Sequence, residues 1–180
     1  MDKIQWIRDL VLSEQQMEES GIVDMKAGFD PEQLLESQSL DFLTDLKAAF
    51  VESAAAFNQM KGSTLGQIKI YGISRTKADF MLFRNGYKLI FSLRQAGLIA
   101  IGLHTMSSHF IPGPVVAASA EPSSGSPAGL GAQQQQPQEE TLKARWGAFG
   151  ELKWTYKDHP VNISYLVRYY MTRFVRESAK

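Results

Sequence analysis

Residues 74–103, SRTKADFMLFRNGYKLIFSLRQAGLIAIGL, decide the fold of this 180-residue chain. Asn85-Gly86, between Phe83 and Tyr87, has the pattern of a two-residue hairpin turn. Winding residues 77–96 at about 100° per residue sorts them better. Phe80, Leu82, Phe83, Tyr87, Leu89, Ile90, Phe91 and Leu93 gather on one broad arc, with Arg84, Asn85, Lys88, Ser92 and Gln95 opposite. Two paired strands would instead crowd Met81 and Ile90 onto the face away from Leu82 and Leu89. Thr76 and Asp79 have capping-box spacing, and Gly97 suits the left-handed residue after a last helical turn. A helix is therefore expected here, with Gly86 costing it about 1 kcal/mol against Ala.

Short Ile-rich runs flank that span at Gln67–Ile73 and Leu98–Leu103. They are strand-length and bounded by glycine. Strand, helix and strand with tight connections predict a parallel βαβ unit joined right-handed.

Towards the C-terminus, Leu142, Ala144, Trp146, Leu152, Trp154 and Tyr156 alternate with Lys143, Arg145, Lys153, Thr155 and Lys157 about the turn Gly147–Gly150. This predicts a hairpin with an apolar inner face and a cationic outer one. Asp158-His159-Pro160 ends it, and Asn162 or Ser164 caps a helix over 163–177. Its buried arc is Ile163, Leu166, Val167, Tyr170, Met171 and Phe174; Tyr165, Arg168, Tyr169, Thr172 and Arg176 face out, with Arg173 at the margin.

Towards the N-terminus, Asp30-Pro31-Glu32-Gln33 is a helix start, and Phe29 with Leu34 has staple spacing. Leu43, Leu46, Phe50, Ala54 and Phe57 form one stripe ending near Lys61-Gly62, with a break or bend expected at Ser37-Gln38-Ser39. Before it, Ile4, Trp6, Ile7, Leu10 and Val11 make residues 3–17 a short amphipathic helix, and Gly21–Gly28 a loop.

The expected class is α/β (or α+β). A βαβ unit and a C-terminal hairpin and helix form one mixed sheet of about four strands, preceded by acidic N-terminal helices. Residues 1–28 are an arm, and 29–111 with 141–180 a single domain. Residues 112–140, rich in Pro, Gly, Ser and Gln, are a flexible linker with a coil-like reach of about 30 Å.

The net charge of zero hides a division. Residues 1–60 hold 4 basic and 12 acidic side chains; residues 61–111 hold 7 and 1; residues 141–180 hold 8 and 3. The chain is thus acidic at its start and basic at its end, which points to charged partners or self-association.

Catalytic constellations are not readable. His104 and His109 are five apart and fall on opposite strand faces, and His159 stands alone, so no metal site is expected. There is no G-x-S-x-G elbow, P-loop or G-x-G-x-x-G, and no cofactor is expected. Zero cysteines excludes thiol chemistry and fits a reducing cytoplasm. Met1-Asp2-Lys3-Ile4 lacks the pattern of a secretion signal, and no apolar run is long enough for membrane insertion.

Three surfaces remain. Ser74, Arg75, Thr76 and Lys77, at a strand end before a helix start, form an anion-binding candidate. Lys143, Arg145, Lys153, Lys157, Tyr165, Arg168, Tyr169, Arg173 and Arg176 form a basic surface with stacking aromatics, the alternative being nucleic-acid binding. Ile4, Trp6, Ile7 and Val11 form a docking stripe for another protein or a second copy. The expected function is a non-enzymatic, self-associating protein-interaction or regulatory module.

Overall fold

In the computed structural model, which describes residues 4–73, 78–105 and 139–179, the chain doubles back at Asn85-Gly86. The helix expected over 77–96 is not formed. Asn85 and Gly86 both take positive φ, 47° and 80°, the backbone twist that suits right-handed strands. Phe80–Arg84 (β2) pairs antiparallel with Tyr87–Gln95 (β3), Phe80 lying opposite Phe91 and Arg84 opposite Tyr87. The physical reason is that the hairpin is apolar on both faces. Phe80, Leu82, Leu89 and Phe91 are buried on one, while Met81, Phe83 and Ile90 are half-buried on the other. Polar alternation is therefore missing, and so many apolar residues fill an arc under any winding.

The two flanking strands exist, as Lys69–Gly72 (β1) and Leu98–Thr105 (β4), but neither belongs to a βαβ unit. With Glu140–Trp146 (β5), Leu152–Tyr156 (β6) and His159–Pro160 (β7) they make an antiparallel meander. Its order is β1-β2-β3-β4-β5-β6-β7, so the described residues hold seven strands in place of the expected four, none parallel. Gly97 is left-handed as expected, φ 79°, but serves the β3–β4 turn. Lys157 and Asp158, at φ 48° and 69°, make a further turn into β7, where the strand was expected to end.

Among the described residues three α-helices, Gln5–Ser20 (α1), Pro31–Lys61 (α2) and Ile163–Glu177 (α3), and a short 3-10 turn at Ala148–Gly150 complete the element order. Asp30 caps α2 by accepting from the N–H groups of Glu32 and Gln33 at 3.0 and 3.4 Å, and Gly62 ends it. The break expected at Ser37–Ser39 is absent. Ser37 and Ser39 donate to the carbonyls of Leu34 and Leu35 within the helix, at 3.2 and 2.6 Å, so both hydroxyls are satisfied without opening a turn. Asn162 caps α3 as expected, accepting from the Ser164 N–H at 2.9 Å.

Both long helices lie on one face of the sheet. Phe91 at its centre meets Phe50 of α2 at 5.0 Å and Tyr170 of α3 at 5.8 Å between ring centroids. Phe42 stacks on Trp154 at 4.6 Å. The Ser39 hydroxyl also accepts the Gly97 N–H at 2.8 Å, fastening α2 to the β3–β4 turn. At the edge beside β1, the Asn58 carboxamide bonds both backbone groups of Ile68, at 2.9 and 2.8 Å, standing where a neighbouring strand would.

Arg84 is a charged member of the helix-covered rows, only 6% exposed. Its Nε donates to Gly66 O at 2.7 Å, and its Nη1 to Val175 O at 3.0 Å and Ser178 Oγ at 2.9 Å. The guanidinium also lies 5.4 Å from the Phe57 ring centroid. Carbonyls at a helix C-terminus carry partial negative charge, so the end of α3 is a natural seat for a cation. Arg84→Met keeps the stem and removes the donors. Stability should fall by about 3 kcal/mol, read as a lower urea midpoint with the slope preserved.

Candidate functional site

Helix α1 stands apart from the core. It ends at Gly21, φ 69°, and contributes no buried residue. Ile4, Trp6, Ile7 and Val11, the expected docking stripe, are 64%, 53%, 43% and 46% exposed, and Leu10 and Leu12 are exposed beside them. One side rests on the following loop across a groove of about 660 Å³, with Trp6, Asp9 and Ser13 facing Phe29, Gln33 and Leu34. Leu10 comes so close to Gly28 that a Cβ there would lie 3.0 Å from its Cδ1. A helix of this length is marginal in water without packing of its apolar side.

The basic set divides between the two faces of the sheet. Leu142 and Trp154 point into the core, so Lys143, Arg145 and Lys153 stand on the face without helices. Arg145 lies directly opposite Lys153, and each finds an acid: Arg145 pairs with Asp158, and Lys153 with Glu151 at 3.1 Å. Lys157 sits in the turn, its ammonium 5.2 Å from the Tyr156 ring centroid. On the same open face lie Lys69, Lys88 and half-buried Met81, Phe83 and Ile90.

Tyr165, Arg168, Tyr169 and Arg176 belong instead to the outer side of α3, across the sheet from those lysines. Tyr165 and Tyr169 are 72% and 58% exposed. Tyr169 is held edge-on against Tyr170, 5.1 Å between centroids. Grooves flank both rings. One of about 380 Å³ is lined by Leu142, Tyr156, Pro160, Val161 and Leu166. The other, of about 560 Å³, is lined by Arg168, Thr172, Arg173 and Arg176. Arg168 and Arg176 make no ion pair with any described residue.

Arg173 is committed elsewhere. Its Nη1 lies 3.3 Å from both oxygens of Glu140, which also accepts from Tyr170 at 2.5 Å and Tyr156 at 3.4 Å. Glu140, expected at the end of the linker, is the first residue of β5, and this cluster fastens that strand to α3. The signal available in the sequence was its position two residues before Leu142, in phase with the inward-facing set.

The anion candidate Ser74, Arg75, Thr76 and Lys77 lies outside the described residues, as do His109 and residues 112–138 of the expected linker. The strands on either side of it, β1 and β2, are antiparallel, and the Ile73 N–H donates to Asp79 O at 2.9 Å. The Asp79 carboxylate instead accepts the Leu93 N–H at 2.9 Å. Among the described residues no cluster of three His, Asp or Glu is arranged to hold a metal ion, and no helix is long and apolar enough to cross a membrane. Comparison with protein-family models, curated proteins and solved structures found no match.

Burial, then the hydrogen bond to Glu140, pushes the Tyr170 phenol far above the usual tyrosine range. The folded chain therefore keeps a proton that the unfolded chain releases above about pH 10. This stability is complete below that pH and is lost as pH rises beyond it. Tyr170→Phe should lower stability by about 1 kcal/mol at neutral pH, and its urea midpoint should decline less steeply above about pH 10 than that of the wild type.

Proposed function

We propose that this protein is a non-enzymatic interaction module that binds another macromolecule through α1 and self-associates by it. The carrying observation is the exposure of Ile4, Trp6, Ile7, Leu10 and Val11 along a helix that adds nothing to the core. Five large apolar side chains on one short helix, with Ile4 just before it, are all exposed and form the kind of patch that marks a docking surface. The charge division supports a charged counterpart, because the acidic first 60 residues and the basic last 40 belong to the same chain.

Light scattering after size-exclusion chromatography tests this. The full chain should run as a dimer, while a chain beginning at Phe29, which keeps every core residue, should run as a monomer. Trp6→Glu with Val11→Glu in the full chain should have the same effect. If all three share one oligomeric state, α1 does not mediate association.

Nucleic-acid binding is the second reading, because the cations expected to form one footprint are divided between two faces. No retardation of single-stranded DNA or RNA is expected in native gels at low ionic strength. Retardation abolished by Arg168→Glu would favour that alternative instead.

A further inference from the structure

We propose that the grooved outer side of α3 is the receptor for α1 of a second copy. The proposal rests on the reading of α1 as the docking element and names what it docks against.

Chemistry matches on both sides. Winding α1 at about 100° per residue places Met17, Leu10, Ile7, Val11 and Ile4 on one arc, with Glu14 and Glu18 set within it. Its docking side is thus apolar with two carboxylates. The outer side of α3 presents the reverse: exposed Tyr165 and Tyr169, with an apolar groove on one side and a groove lined by Arg168, Thr172, Arg173, Arg176 and Glu177 on the other, Arg168 and Arg176 making no ion pair with a described residue. Rigid tyrosines and arginines are the residues that most often anchor an interface. Edge-on contact with Tyr170 holds Tyr169 ready, which lowers the entropy lost on docking.

Charge decides between this receptor and the simplest competitor, α1 pairing with α1. Helix α1 carries Arg8 against Asp9, Glu14, Glu18 and Glu19, a balance of −3. Helix α3 carries Arg168, Arg173 and Arg176 against Glu177, a balance of +2. Two α1 helices would bring like charges together, whereas α1 on α3 brings opposite ones. Lengths agree as well: 16 and 15 residues span about 24 and 22 Å at 1.5 Å per residue. Each copy offers both surfaces, so reciprocal docking closes as a two-fold dimer with two identical contacts and leaves no open end.

Sedimentation velocity of the full-length protein over a concentration series, at low and high salt, tests the pairing. The wild type should be a dimer that weakens with salt. Arg168→Glu with Arg176→Glu should weaken it by about tenfold or more, and so should Glu14→Arg with Glu18→Arg. All four substitutions together should restore affinity to within about threefold of the wild type. Tyr169→Ala, at an exposed position, should weaken the dimer about tenfold while leaving the circular dichroism spectrum unchanged. A dimer that Ile7→Glu with Val11→Glu dissociates but the α3 substitutions do not would overturn this receptor and leave α1 as the docking element. A dimer indifferent to Ile7→Glu with Val11→Glu would overturn both readings. A monomeric wild type at every concentration would overturn the receptor and self-association together.

Discussion

A buried guanidinium ties the architecture together. Arg84 points from β2 to the side where α2 and α3 lie, and its charge is answered by Gly66 O just past α2 and by Val175 O and Ser178 Oγ at the end of α3. A cation taken out of water is costly unless its donors are filled, so these segments have one mutual arrangement in which Arg84 is satisfied. Asn85, the next residue, donates from Nδ2 to Ser178 O at 2.8 Å. The turn that reverses the chain is thus fastened to the last turn of the last helix, across more than ninety residues of sequence.

From that anchor the layers follow. Aromatic packing of Phe50, Phe80, Phe91 and Tyr170 joins α2, the central strands and α3 in one core. Glu140 repeats the device at the other side of α3, where one carboxylate accepts from Tyr170, Tyr156 and Arg173 and seats β5. The fold then has one helix-covered face, one face of mixed apolar and cationic residues, and a helix that belongs to neither. Among its exposed large apolar side chains are the stripe of α1 and the two tyrosines Tyr165 and Tyr169 on the outer side of α3.

Local chemistry could be read where one signal was decisive. Asp30-Pro31 starts α2 and Gly62 ends it; Asn162 starts α3, whose inward and outward arcs fall on the residues that spacing assigns. In β5 and β6 Leu142 and Trp154 are inside and Lys143 and Lys153 outside as expected, whereas Trp146 of the expected inner set is exposed and Thr155 of the outer set is buried. Where two signals conflicted, the wider one misled. Asn85-Gly86 named the hairpin correctly, but apolar residues on both sides of β2 and β3 gave the helical winding an apparent advantage. With that helix went the parallel crossover, while the anion candidate at residues 74–77 lies outside the described residues.

Amino-acid order alone determined the capped helices, the apolar stripe of α1, the division of charge and the left-handed glycine at position 97, because each depends on neighbours within a few residues. Tertiary structure decided which side of each strand was covered, and therefore that Arg84 is buried while Arg168 is not. It also decided that the basic residues stand on two faces, since the fate of a side chain in a sheet depends on pairing with strands far away in sequence. Spacing reports periodicity; burial is set by what packs against it.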